Sequence, residues 1–505
     1  MSQNDRKVLL KVRNLKQYFP LKKKGLYVKA NDGISLDIYE GEVFGLVGES
    51  GCGKSTLGRT LLQLYKQTDG RTMYYGKTLD DISPKYMLET IKDVKKLKPR
   101  IKELAEKRDK LQAEYDKMSE KEQYEKHAEL EAAKKAANDA LLDVGNIFGG
   151  LMAVDDMTEI QKAYENHWNI SHKGVGLATK RKELQVKRDD AEFASKNTSS
   201  YDSKLAAIDK EISANNELLD KATQEIEALR EKYKGVEDYD KYEALRDSGI
   251  DLARLDYSEI RLLRQDLQII FQDPYSSLNP RMTIGQIIGE GLKAHHIYEA
   301  NNERMQEYIL KVMDECGLQP YFLHRFPHQF SGGQRQRVAI GRALAVNPKV
   351  VVCDEAVSAL DVSVQSQIIN LLQDLREKQD LTYLFITHDL SVVKYISDRI
   401  GVMYLGNLVE LSESEKIFAR PLHPYTQALI VAIPTTDPDV DQELQILEGD
   451  IPSPVNPPSG CKFHTRCRFC TDICKNIVPA WRELEPGHFV ACHHPLTETQ
   501  DTKEQ

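Results

Sequence analysis

"VFGLVGESGCGKSTLGRTLL", Val43 to Leu62, decides the fold. Val43 to Val47 is a short apolar run, Gly48 to Ser55 reads G-x-x-x-x-G-K-S, and the residues beyond it suit a helix. In that strand, loop and helix context the glycines Gly48, Gly51 and Gly53 let backbone N–H groups turn inward around phosphate oxygens. Ser50 and Thr56 belong to the same wrap, and the following helix offers the positive end of its dipole to the anion. Lys54 is expected to reach the β- and γ-phosphates and Ser55 to ligate Mg²⁺.

Downstream, "KVVVCDEAVSALD" places Val350 to Cys353 in a buried-strand pattern directly before Asp354 and Glu355. A carboxylate at the C-terminal end of a parallel strand suits a second Mg²⁺ contact, and its neighbour can polarise an attacking water. Asp354 is therefore expected on the metal and Glu355 as general base. An apolar run ending in Asp-Glu is also a common strand terminus, so this reading depends on its company.

The company is "HQFSGGQRQRVAIGRAL", whose Ser331, Gly332, Gly333 and Gln334 open a helix and repeat the anion-binding geometry of a helix N-terminus. With this motif the sequence resembles the ATP-binding subunits of ABC transporters. The resemblance extends to Gln272 in "IIFQDPYSSLNPRMT", to Ser358-Ala-Leu-Asp361 and to His388 in "LFITHDL". It implies an α/β P-loop NTPase core with a helical subdomain, ATP and Mg²⁺ as ligands, and Gln272 beside Ser55 and Asp354 at the metal. It also implies that two cassettes meet head to tail, so that Ser331 to Gln334 cap the partner's nucleotide. Asp361 would then lie in the loop between the cassettes, and His388 would hold the γ-phosphate and Glu355 in line. An aromatic ring usually stacks on adenine; Tyr18 and Phe19 in "LKQYFP" are both candidates. Ala356 and Phe330 depart from the commoner proline and leucine, and neither position supplies a catalytic atom.

Lys54 and Gln272 lie much farther apart than in most relatives, with the excess between about Pro84 and Ile250. Within it, "IDKEISANNELLDKATQEIEALREKY" repeats core residues at 208, 212, 215, 219, 222, 226 and 229, a coiled-coil seam. A second seam runs through Val94, Leu97, Ile101, Leu104, Leu111, Tyr115 and Met118, with Arg108 in one slot. Leu177, Leu184 and Ala191 precede the "SKNTSSYDS" break. One antiparallel helical hairpin is the economical reading, with Asn215 fixing its register. The apolar "LLDVGNIFGGLMAVDDM" is expected to be buried within the hairpin, with a cap on its tip or a protein contact as the alternatives.

After the proline-rich "IPSPVNPPSG", which marks a boundary, Cys461, Cys467, Cys474 and Cys492 follow at spacings x5, x6 and x17. This tail narrows the resemblance to the oligopeptide and dipeptide importer branch, OppF-like subunits in particular, where four such cysteines are associated with a [4Fe–4S] cluster. Zinc and metal-free thiols are the alternatives, and Cys470 makes Cys467-x-x-Cys470 look like half of a zinc site. Cys52, Cys316 and Cys353 read as structural, with Cys52 open to alkylation.

The bulk numbers agree. The chain has 505 residues, 41% hydrophobic and 29% charged, and no apolar run long enough to span a bilayer. A net charge of -9 gives no global reason to bind nucleic acid. The expected division is residues 1–85 and 251–430 for the ATPase core, 86–250 for a helical coiled-coil insertion, 431–495 for the cysteine-rich C-terminal region, and 496–505 for a disordered tail. The resemblance implies an ATPase peripheral to the cytoplasmic face of the membrane, paired with a second ATPase subunit, two transmembrane permeases and an extracellular peptide-binding protein. Dipeptides or metal chelates are alternative cargoes. An SMC-like ATPase also carries coiled-coil arms, but there the arm leaves after the glutamine loop; a soluble ABC translation factor would carry two cassettes.

Overall fold

The computed structural model describes residues 6–23, 25–299, 302–433 and 449–496. The expected tail beyond Leu496 and the stretch 434–448 of the C-terminal region lie outside them. The chain divides into two compact units, one of residues 1–76, 251–253 and 260–505, the other of 77–250 and 254–259.

The first unit is built on a mixed sheet. Its middle is five parallel strands in the order Arg399–Tyr404, Val43–Val47, Thr382–Ile386, Val350–Asp354 and Leu267–Ile270. Val43–Val47 and Val350–Asp354 are buried along their whole length, as continuous apolar runs must be when both faces of a sheet are covered. Asn407–Glu413, His488–Val490 and Arg482–Glu485 extend the Arg399 edge antiparallel, so the C-terminal region completes the same sheet. A separate antiparallel sheet joins Val8–Pro20 to Tyr27–Tyr39 and Asp69–Tyr74. Helices Ile284–Ala294, Glu303–Glu315 and Gly332–Leu344 pack on one another through Ile288, Leu292, Ile309, Val312 and Ile340, all inside the main apolar core.

The second unit corrects the single hairpin. Four long helices, Lys85–Tyr115, Glu120–Phe148, Thr158–Phe193 and Ser199–Tyr233, form two hairpins, the first packing mainly on the second and the third on the fourth. In the latter pair Lys232 bonds Glu159 at 2.7 Å, His167 meets Thr223 at 3.2 Å, Arg181 bonds Asp209 at 2.6 Å and Arg188 bonds Asp202 at 3.0 Å, an antiparallel register. The seam residues 208 to 229 are all buried or half-buried. A heptad identifies the face a helix hides but not its partner, and short turns let each helix fold onto its chain neighbour. Pro99 lies inside Lys85–Tyr115 without ending it.

The glycine-containing apolar stretch is buried, though at neither hairpin tip. Phe148, Leu151, Met152, Ile160, Tyr164, Leu229 and Tyr239 are all buried in this unit's core, with the Phe148 and Tyr164 rings 4.7 Å apart. Arg230, 4% exposed, crosses this core. It bonds Glu243 at 2.7 Å and the Tyr164 hydroxyl at 2.7 Å.

Candidate functional site

The loop after Val43–Val47 takes its shape from left-handed glycines. Gly53 has φ +102, and a side chain there would stand 2.1 Å from the Ala30 carbonyl. Asn31, fully buried and next to Ala30, donates to the Gly53 carbonyl at 3.0 Å and ties the turn to that strand. Lys54 begins the helix Lys54–Leu61 and is 4% exposed. Its Nζ donates to the carbonyls of Gly48 at 2.8 Å and Glu49 at 3.1 Å. With the Cys52 sulfur at 3.9 Å as its third acceptor, this buried ammonium has only neutral partners and is poised to exchange them for stronger anionic acceptors.

Beside the loop lies a cavity of about 450 Å³ lined by Ser50, Gly51, Gly53, Lys54, Ser55 and Thr56, with Gln272, Glu355 and Phe19 on its walls. Of the two aromatic candidates, Phe19 faces this space, whereas the Tyr18 hydroxyl is given to Asp32, which together with burial pushes the phenol pKa upward. Phe19 is itself propped edge-on by Tyr65 at 5.3 Å.

Glu355 follows the strand Val350–Asp354 with φ +48, an uncommon conformation for a residue with a side chain. Its N–H bonds the Ile386 carbonyl at 2.9 Å, and its carboxylate accepts from Gln272 at 2.8 Å. His388 Nδ1 stands 3.6 Å from the same oxygen. Asp354 is fully buried: Oδ2 pairs with Arg59 at 3.1 Å, while Oδ1 has no hydrogen-bond partner. Asp354 does not itself line the cavity, but its orphaned carboxylate oxygen fits a hard cation or its water, and Mg²⁺ held there would neutralise phosphate charge. Arg59 was not legible as a partner of Asp354, since the two belong to distant motifs.

Ser331, Gly332, Gly333, Gln334 and Asp361 line none of this cavity. Ser331 caps Gly332–Leu344, its hydroxyl accepting from the Gln334 N–H while the Gln334 side chain accepts from the Ser331 N–H. Gly333 leaves room for Val364, which a side chain there would strike at 2.4 Å. Asp361 stands at the N-cap position of the helix Val362–Gln379 without a side-chain capping bond, and is exposed. Two arginines of the Gly332–Leu344 helix reach the segment after Gln272: Arg335 lies over the Tyr275 ring at 3.6 Å, and Arg342 donates to the Ser277 carbonyl at 2.6 Å. The two contacts tie that helix to the segment after Gln272, a link the motifs alone did not reveal.

In the C-terminal region the four predicted cysteines gather but do not close into a ligand set. Cys461 N–H bonds the Cys474 carbonyl at 2.7 Å, and the Cys492 thiol senses Cys461, Cys467 and Cys474. Burial pushes the Cys461 thiol up to about 11 and the Cys492 thiol up to about 12. Among the described residues no group of three or more His, Cys, Asp or Glu stands at metal-holding geometry. Cys52, expected to be open to alkylation, is 5% exposed and its thiol is raised by burial.

The ABC transporter family matches residues 31–163 and 226–358, and the family described as oligopeptide/dipeptide transporter, C-terminal region, matches 409–474. The chain belongs to the ABC transporter family. Its similarity to the oligopeptide transport ATP-binding protein AppF of Bacillus subtilis is 33% identity over 503 residues, 98% of this chain and 99% of AppF. A putative peptide import ATP-binding protein of Brucella ovis is 54% identical over 244 residues, 48% of this chain and 76% of that protein. OppF of Escherichia coli, an oligopeptide transport ATP-binding protein, is 49% identical over 246 residues, 48% of this chain and 73% of OppF. Among the described residues no helix of this ABC protein is long and apolar enough to cross a membrane.

Proposed function

We propose that this chain is the ATP-hydrolysing subunit of an ABC importer that powers uptake of oligopeptides across the cytoplasmic membrane. The observation that carries the reading is the convergence of Lys54, Ser55, Gln272 and Glu355 on one cavity, in a chain whose C-terminal region matches that of oligopeptide/dipeptide transporters. Lys54 and the loop amides bind the triphosphate, and Phe19 offers its ring to the base. Ser55, Gln272 and Asp354 hold Mg²⁺. Glu355 accepts a proton from the attacking water, with His388 keeping it in line.

Ser331, Gly333 and Gln334 cap the nucleotide of a second ATPase subunit, and Asp361 lies at the same junction. Closing that sandwich excludes water, and opening it resets the cycle. The subunit sits at the cytoplasmic face, where the loop after Gln272 receives a permease helix and passes its motion through Arg335 and Arg342. Two permeases and an extracellular peptide-binding protein complete the importer. The second hairpin acts as a coiled-coil arm, as its continuous seam and antiparallel ion pairs support. Cys461, Cys467, Cys474 and Cys492 would hold a [4Fe–4S] cluster, or zinc in its place, if they closed further than they do here; iron, sulfide and zinc analysis of the purified chain distinguishes these from metal-free thiols.

The test of the whole reading is uptake of a labelled oligopeptide by cells whose only copy carries Glu355→Gln, at expression equal to wild type. Uptake is expected to disappear while the variant still binds ATP and membranes. Normal uptake would exclude Glu355 as the essential base of peptide import.

A further inference from the structure

Arg466, one residue before Cys467, reaches out of the cysteine-rich region to the phosphate loop. Its guanidinium grips Glu49, the residue after the first loop glycine, with Nη1 2.8 Å from Oε2 and Nη2 3.1 Å from Oε1. The Arg466 side chain is 5% exposed and that of Glu49 22%, so this two-pronged, charge-assisted pair is largely shielded from water. The rest of Glu49 is committed as well. Its N–H donates to the Tyr425 hydroxyl at 2.9 Å, and its carbonyl accepts from Lys54 Nζ at 3.1 Å. Arg466 thus acts on Lys54 through a single intervening residue.

The region around Arg466 is anchored as core. Phe463, 2% exposed, packs its ring against Tyr404 at 5.2 Å and Tyr425 at 5.3 Å. Lys462 donates to Asp32 at 3.2 Å and to the Leu405 carbonyl at 3.0 Å. Pro454 accepts from the Lys29 N–H at 3.1 Å and itself lines the cavity beside the loop. The C-terminal region therefore touches the phosphate site at separate points, and through Arg466 it brings a cation to the phosphate loop itself.

We propose that Arg466 is a positioning residue for nucleotide binding: it fixes Glu49, and through it the phosphate loop, and it neutralises a carboxylate that would otherwise repel an incoming triphosphate. The cysteine-rich region is then a working part of the ATP site. The proposal rests on the reading of the cavity as that site.

The full-length chain is titrated with a fluorescent ATP analogue and Mg²⁺, with thermal unfolding followed alongside. Removing a charge-assisted, two-pronged pair is expected to weaken binding in Arg466→Gln by about tenfold, with Arg466→Lys, which keeps the charge and loses the fork, falling between it and wild type. Glu49→Gln combined with Arg466→Gln removes the bare carboxylate and is expected to recover to within about threefold of wild type. Affinity in Arg466→Gln within about twofold of wild type overturns the proposal, as does a loss that the double variant leaves unchanged, since mere packing is not rescued by neutralising Glu49. If Arg466→Gln does not fold, Arg466→Lys carries the test, and wild-type affinity in it overturns the proposal. Failure of the wild-type chain to bind the analogue overturns the nucleotide-site reading itself, and this proposal with it.

Discussion

Gln272 donates to Glu355 at 2.8 Å, tying together residues 83 apart in the chain at the mouth of the phosphate cavity. Glu355 needs such a restraint. Its backbone sits at φ +48, and its carboxylate also has His388 at 3.6 Å and the Ser358 hydroxyl at 3.4 Å. A general base is effective only when aimed at its proton, so the neighbours that aim it affect turnover more than binding. Replacing Gln272 by Ala is expected to lower kcat for ATP hydrolysis by about 10- to 100-fold at saturating ATP and Mg²⁺, beyond any loss of affinity that follows from its Mg²⁺ contact. Phosphate release under saturating ATP, beside an equilibrium titration, checks the split; an unchanged kcat would remove Gln272 from the aiming of Glu355.

Gly51 and Gly53 separate two costs that usually come together. Both have positive φ, +79 and +102, but a side chain at Gly51 meets open space whereas one at Gly53 strikes the Ala30 carbonyl at 2.1 Å. Gly51→Ala should therefore cost only backbone strain, about 1 kcal/mol, and lower nucleotide affinity by at most roughly fivefold. Gly53→Ala must also displace a neighbouring strand or the loop, and nucleotide binding is expected to fall below detection. Titration of both variants with the same fluorescent analogue decides it, and equal losses would mean that the steric term is absorbed elsewhere.

How much of this was legible follows from the range of each interaction. The phosphate loop and the buried strand before Asp354 are written in consecutive residues, so hydrophobic run and glycine spacing suffice. The pairs Arg59 with Asp354 and Arg466 with Glu49 join segments 295 and 417 positions apart, and nothing local marks either arginine as their partner. The heptad through Ile208 to Leu229 exposed a hidden face correctly, while its partner depended on turns at two places rather than one. Tyr18 and Phe19 could not be told apart until the alternation of their strand set one toward Asp32 and the other toward the cavity.

Acid should loosen the C-terminal region through His423. Its ring is 1% exposed; Nδ1 accepts from the Tyr425 N–H at 3.0 Å, and Nε2 has no partner. Burial pushes its pKa down to about 4, against the opposing pull of Glu410, which also accepts from His488 at 2.7 Å. A histidine lowered in the fold keeps its full contribution above its ordinary value, about 6.5, and loses it as pH falls toward the folded value. Stability is expected to drop between pH 6.5 and 4.5 by up to about 1.4 kcal/mol per pH unit from this residue. His423→Asn preserves an acceptor for Tyr425 without a titrating ring, and should flatten that slope in urea unfolding measured across the pH series. Parallel slopes in the two proteins would assign the acid sensitivity to other groups.

In the helical unit, Arg230 is a cation placed among Phe148, Tyr164 and Leu229, and its value lies in what it leaves behind when removed. Its bond to Glu243 at 2.7 Å is one of several that carboxylate receives, the others coming from the Gly150 N–H at 2.7 Å and Arg246 at 3.2 Å. Because the Glu243 side chain is 30% exposed and keeps those donors, Arg230→Met is expected to cost about 2 kcal/mol, less than the 3–5 kcal/mol typical of a fully buried pair. Adding Glu243→Gln removes the stranded charge and should return part of that loss, since apolar replacement of a buried pair is often close to neutral. Trp168 is buried in this unit, and Trp481 is the other tryptophan of the chain. In a Trp481→Phe background, urea unfolding followed by Trp168 fluorescence reports on the helical unit alone. A double variant no more stable than Arg230→Met would show that the guanidinium acts through its bond to the Tyr164 hydroxyl rather than through Glu243.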